Sequence, residues 1–95
     1  MSLDGHIALI TGAGQGIGKA SAVAFAAKGA DLIVWDKNPE TLGEVVRKLR
    51  QMGCKAVYHV VDLTNLEKLR HAAFEAKKTG LIDILVNKKL DSVGF

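Results

Sequence analysis

Four short apolar runs rich in β-branched residues recur along the chain, at His6–Thr11, Asp31–Asp36, Ala56–Val61 and Ile82–Asn87, starting about 25 residues apart. They show little apolar–polar alternation, the pattern of strands buried on both faces of a parallel sheet. Helical spacing fills the gaps. An alanine-rich segment from about Gly16 to Lys28 suits a helix packed closely on a sheet, with Gly29 as a left-handed stop. Asn38 and Pro39 form a cap and first turn for a second helix, whose apolar stripe is Leu42, Val45, Val46, Leu49 and Met52, with Gly53 after it. Thr64-Asn65-Leu66-Glu67 reads as a capping box for a third, in which Thr64 and Glu67 serve each other's backbone donors. Leu66, Leu69, Ala73 and Ala76 form its expected buried stripe, and Gly80 ends it.

The order is therefore β-α-β-α-β-α-β, an α/β fold with a parallel sheet and crossovers. At 95 residues, one domain is the ceiling. A hydrophobic fraction of 48% and a charged fraction of 24% are those of a globular protein. No apolar run approaches a membrane span, and Met1-Ser2-Leu3-Asp4-Gly5-His6 lacks the blocks of a signal peptide, so a cytoplasmic location is expected. The net charge of +3 comes from scattered lysines without interleaved aromatics, which speaks against a nucleic-acid partner. Cys54 is the only cysteine, and His6, His59 and His71 are dispersed, so no metal site is expected.

The candidate chemistry begins at Thr11-Gly12-Ala13-Gly14-Gln15-Gly16-Ile17-Gly18, between the first strand and the first helix. A helix N-terminus presents unpaired N–H groups and a partial positive charge, which suit a pyrophosphate. Gly12 permits the tight turn, Gly16 lets the backbone approach the phosphates, and Gly18 lets the helix lie close on the strand. The common G-x-G-x-x-G spacing fails, because Ile17 or Lys19 stands where its last glycine would fall. The spacing that fits is G-x-x-x-G-x-G. The frame is then a partial Rossmann fold, a doubly wound sheet of strand order 3-2-1-4. Asp36 closes the second run about 20 residues beyond the turn, where an acid accepts from ribose hydroxyls. Its charge repels a 2′-phosphate and favours NAD over NADP, although Lys37 beside it would attract that phosphate if turned inward. Trp35 is expected in the core.

Taken together, Thr11-Gly12-x-x-x-Gly16-Ile17-Gly18, Asp62-Leu63 and Asp83-Ile84-Leu85-Val86-Asn87 resemble the short-chain dehydrogenase/reductase family over about Leu3 to Asn87. The resemblance implies a dinucleotide site made of Gly12, Gly14, Gln15, Gly16, Ile17, Gly18, Asp36, Asp62, Leu63 and Asn87. In it Asp62 would meet the adenine amino group, the Leu63 backbone would lie near the ring, and Asn87 would hold neighbouring strands. The implied activity is hydride transfer between a nicotinamide and a carbonyl or alcohol carbon.

Residues 1–87 then form a truncated dinucleotide-binding domain and residues 88–95 a divergent tail. Where the family continues Asn-Ala-Gly, this chain reads Lys88-Lys89-Leu90. The family's acid/base tyrosine with a lysine four residues later is not met, since Asp62 follows Tyr58 at that spacing. Tyr58 is expected to pack within the third strand, and Ser92 matches no family position, so no catalytic residue is assigned. Two function classes stay open: part of an NAD(P)-dependent oxidoreductase, or a non-catalytic adenine-nucleotide-binding or dimerisation module. A half fold should also leave its fourth strand as an open edge and associate with itself through it.

Overall fold

Seven elements follow one another in the computed structural model, which describes residues 2–80 and 82–86. They are β1 (Ile7–Thr11), α1 (Gly16–Ala27), β2 (Asp31–Asp36), α2 (Pro39–Gln51), β3 (Ala56–Val60), α3 (Leu66–Lys77) and β4 (Ile84–Val86). All strand pairs are parallel, and the order across the sheet is β3-β2-β1-β4, as expected. Asn87 and the tail 88–95 lie outside the described residues.

The two central strands behave as their apolar runs imply. Ala8, Leu9 and Ile10 of β1 and Leu32 to Trp35 of β2 are buried. Their alternate side chains feed two separate cores. Ala8, Ile10, Leu32 and Val34 pack with Ala22 and Ala26 of α1 and with Leu42, Val45, Val46 and Leu49 of α2. Leu9, Ile33 and Trp35 pack with Leu69, Ala72, Ala73 and Ala76 of α3. Two helices therefore cover one face and a single helix the other, the arrangement that right-handed crossovers impose on this order. Each large side chain removed from water in this way contributes roughly 1.5–3 kcal/mol.

The outer strands depart from the expectation of burial on both faces. Among the described residues β3 pairs only with β2, and Val57, Tyr58 and Val60 stand partly in solvent. Tyr58 is 48% exposed rather than packed within the sheet. Arg50 of α2 anchors this edge by donating Nε (3.3 Å) and Nη2 (2.8 Å) to the Ala56 carbonyl. β4 begins two residues later than the run that announced it. Before it, Asp83 clamps β1, its amide donating to the Ile7 carbonyl at 3.1 Å and its Oδ1 accepting from the Ile7 amide at 3.0 Å. His6 Nδ1 lies 2.7 Å from Asp83 Oδ2 and sits just ahead of β1 rather than in it.

The helix ends confirm two caps and correct a third. Asn38 Oδ1 accepts from the Glu40 and Thr41 amides, with Pro39 opening α2. Gly29 follows α1 with a φ of 93°. The capping box at α3 does not form. Asn65 is the N-cap, its Oδ1 accepting from the Lys68 amide at 3.1 Å. Thr64 is drawn away because its amide and hydroxyl both donate to Asp62 Oδ1, at 2.9 and 2.7 Å. The buried stripe of α3 shifts accordingly. Ala72 joins it, and Leu66, at the first helical position, is 51% exposed. Met52 likewise lies past the last turn of α2 and is partly exposed. No helix among the described residues is long and apolar enough to cross a membrane. Substituting Asn65→Ala should cost about 1 kcal/mol in urea denaturation. The same cost in Thr64→Ala, with none in Asn65→Ala, would restore the capping box.

Candidate functional site

Parallel strands end on the same side, so the carboxyl ends of β1, β2 and β3 meet at one rim of the sheet. The strand order reverses next to β1, which is where open α/β sheets leave a crevice. The glycine turn leaves β1 at that rim. Gly12 (φ 63°) and Gly16 (φ 60°) both take the left-handed region that side chains resist. Gly18 meets a different constraint: a Cβ there would overlap the Gly12 carbonyl, so α1 can lie this close to β1 only without a side chain. Gly16 faces open space where Gly18 does not. Gln15, the residue ahead of α1, is extended and gives no side-chain cap, and the first turn holds no acid. The N-terminal donors of α1 are thus left to whatever occupies the rim.

The turn is tied to β2 rather than floating above it. The Ala13 amide donates to the Trp35 carbonyl at 3.0 Å, and the Gly14 amide to Asp36 Oδ2 at 2.7 Å. A Cβ on Gly14 would fall 2.6 Å from both Asp36 Oδ2 and Thr41 Oγ1. Asp36 Oδ1 also accepts from the Asn38 amide at 3.1 Å. One backbone donor on each oxygen fixes the plane of this carboxylate and leaves further lone pairs for a ligand. Past β3, the Thr64 hydroxyl and then the Thr64 amide hold the Asp62 carboxyl below the usual carboxylate range, with Lys37 and Lys68 adding to the effect. Asp62 is therefore an acceptor at neutral pH.

These pieces enclose a cleft of about 520 Å³. Thr11, Gly12, Gln15 and Gly16 line it from the turn, Trp35, Asp36 and Lys37 from the end of β2, and Val61, Asp62, Leu63 and Thr64 from beyond β3. Of the residues singled out in the sequence, Gly12, Gln15, Gly16, Asp36, Asp62 and Leu63 are brought together. Gly14 is buried behind Asp36, Gly18 is committed to the contact with Gly12, and Ile17 is 84% exposed and off the cleft wall. Asn87 lies outside the described residues. The sequence reading did not pick out Trp35, Val61 and Thr64 as lining residues. Thr64 had a signal, since Asp-x-Thr is a turn in which the carboxylate gathers the following donors. A larger hollow of about 670 Å³ between α2 and β3 is lined by Arg47, Arg50 and Tyr58 but holds no carboxylate and none of the turn. Chemistry rather than size picks the cleft. Among the described residues no His, Cys, Asp or Glu group is arranged to hold a metal.

A family model described as short chain dehydrogenase matches residues 6–88. The chain belongs to the short-chain dehydrogenase family. It is 43% identical over 88 residues to the 7alpha-hydroxysteroid dehydrogenase of Escherichia coli (strain K12), covering 92% of this chain and 34% of that protein. Among solved structures it is similar to an NAD+-bound xylitol dehydrogenase, with a TM-score of 0.86 and 31% identity over 90% of this chain and 33% of that one. It is also similar to a short chain dehydrogenase from Mycobacterium paratuberculosis bound to NAD, with a TM-score of 0.85 and 33% identity over 93% of this chain and 38% of that one. The chain thus spans about a third of the length of the relatives it matches.

Behind the cleft, the Trp35 indole donates to His59 Nδ1 at 2.9 Å. Burial drives the His59 imidazole below its ordinary value, Glu75 pulling it back up and His71 pushing it further down. In the unfolded chain the ring takes its proton near pH 6.5, and in the folded chain only at lower pH. Below about pH 6.5 the unfolded state therefore binds more protons. This contribution is fully present above that value and is lost as pH falls towards the folded-state midpoint. Urea denaturation from about pH 7.5 to 5 should show stability declining, with a shallower slope in His59→Asn. Equal slopes would assign the decline to other groups.

Proposed function

We propose that the chain is the dinucleotide-holding portion of an NAD-dependent short-chain oxidoreductase, which transfers hydride between a nicotinamide and a carbonyl or alcohol carbon. One observation carries the reading: the glycine turn, Asp36 and Asp62–Leu63, far apart in sequence, line one cleft at the carboxyl ends of the strands. The residues fit such a cofactor. The open face at Gly16 and the uncapped first turn of α1 would take the pyrophosphate. Gly12, Gly14 and Gly18 shape that cradle, and Gln15 and Ile17 flank it. Asp36 would accept from the ribose hydroxyls, Asp62 from the adenine amino group, and the Leu63 backbone would lie along the ring. Asn87 completes the set by its family role.

The bound nicotinamide supplies the hydride chemistry, while these residues bind and orient. The two NAD-bound neighbours support the choice of cofactor class. The charge of Asp36 supports NAD over NADP, and Lys37 on the same wall is the cation that would oppose it. No acid/base is assigned. Tyr58 lies away from the cleft with its ring beneath the Arg50 guanidinium, 5.9 Å from the centroid. We also propose a cytoplasmic location, to be checked by fractionation.

Calorimetric titration of the chain tests the proposal. NAD and ADP-ribose should bind, NADP more weakly, and Asp36→Ala should lose about tenfold in NAD affinity, the size of a hydrogen bond to a charged group. A folded sample that binds none of the three would refute the reading, and turnover of nicotinamide by the chain alone would refute the lack of an acid/base. We further propose self-association through β4, which among the described residues pairs with β1 alone. Sedimentation should then show species larger than one chain, and a monodisperse monomer would count against it.

A further inference from the structure

Trp35, the sole tryptophan, is fully buried at the end of β2, and it serves the cleft twice. It lines the wall beside Asp36 and Val61, and its carbonyl holds the glycine turn through the Ala13 amide. Its indole Nε1 donates to His59 Nδ1 at 2.9 Å, and the two rings meet edge to face with centroids 6.1 Å apart and planes at 79°. His59 does not line the cleft. It lines an adjoining groove of about 470 Å³ beneath α3.

We propose that His59 is a positioning residue for the dinucleotide cleft: its neutral ring accepts the indole N–H and holds Trp35, and its protonation releases that hold and weakens nucleotide binding. The inference rests on reading the cleft as a nucleotide site. Accepting at Nδ1 requires the ring proton on Nε2. A second proton would set an N–H of His59 against the N–H of Trp35, two donors with no acceptor between them. The disturbance would reach the ligand by two short routes, through the Trp35 carbonyl to the turn and through the adjacent Asp36 to the Gly14 amide.

The groups that face His59 set when this happens. From α3, Glu67, Lys68, His71 and Glu75 line the same groove. β2 presents only the indole, and α2 packs on the other face of the sheet. Partial burial opposes the charged ring, Glu75 favours it and His71 opposes it, so the ring is neutral at neutral pH and takes its proton only below its ordinary range.

Because Trp35 is the only tryptophan, its emission and its indole N–H NMR signal report this bond directly. In the wild-type chain both should titrate in one step with a midpoint below pH 6.5. ADP-ribose affinity should fall about fivefold between about pH 7.5 and a pH below that midpoint, the scale of one net hydrogen bond. By reciprocity, saturating ADP-ribose should move the indole midpoint to lower pH. His59→Leu should bind weakly at both pH values. His59→Asn, which returns an oxygen acceptor, should recover part of that loss and bind without pH dependence over this range. A pH dependence unchanged in His59→Asn would overturn the proposal. So would a wild-type indole signal that does not titrate, a measurement that needs no variant to fold. ADP-ribose binding at pH 7.5 that persists undiminished below the indole midpoint overturns the role of His59 alone. Absence of ADP-ribose binding with a titrating indole removes the nucleotide reading as well.

Discussion

The contact between Gly18 and the Gly12 carbonyl governs the geometry of the site. It lets the first turn of α1 settle directly over the end of β1, so the helix N-terminus opens at the rim of the sheet. A side chain at Gly18 would lift the helix and turn its free donors away from the rim. The glycines of this turn therefore answer separate demands. Gly12 and Gly16 satisfy backbone angles, Gly14 makes room for Asp36 and Thr41, and Gly18 makes room for the strand itself. Their unusual spacing follows from those demands.

With the turn placed, the parallel sheet assembles the rest. Register sets Thr11 against Trp35 and Asp36 against Val60, so the last residues of three strands arrive at one edge. Backbone amides then orient the acids: Gly14 and Asn38 hold Asp36, and Thr64 holds Asp62. A carboxylate fixed by amides, rather than by a lysine or arginine, keeps its negative charge available to a ligand.

The two faces of the sheet are unequally covered. The α1 and α2 side buries a broad aliphatic core, while the α3 side depends on small alanines and on Trp35. The indole is the largest fully buried side chain, and its one polar atom needs a partner once water is excluded. His59 meets that need from a strand whose other exposed positions are apolar. A demand of core packing thus ties the cleft at the strand ends to a titratable group beside Trp35 on the α3 face of the sheet.

Much of this was legible in the chain. The apolar runs marked β1 and β2, the stripe Leu42–Val45–Val46–Leu49 marked α2, and the glycine turn with Asp36 marked the rim, because each signal is local and its physics acts over a few residues. The strand order followed from the Rossmann frame that the turn implied, and right-handed crossovers then set which face each helix covers. What depended on neighbours distant in sequence was misread or unseen. The Ala56–Val61 run looks as buried as β2, yet among the described residues β3 has a partner on one side only, and Tyr58 is exposed. Thr64 has the composition of a cap, but Asp62 takes its donors first and Asn65 caps instead. Ile17 sits within the signature and still points to solvent. The pairing of Trp35 with His59, 24 residues apart, exists only because the β2–β3 register sets them side by side. Local propensity and spacing determined the elements and the turn, and tertiary packing decided which polar groups meet, because burial and hydrogen-bond partners are properties of the assembled sheet.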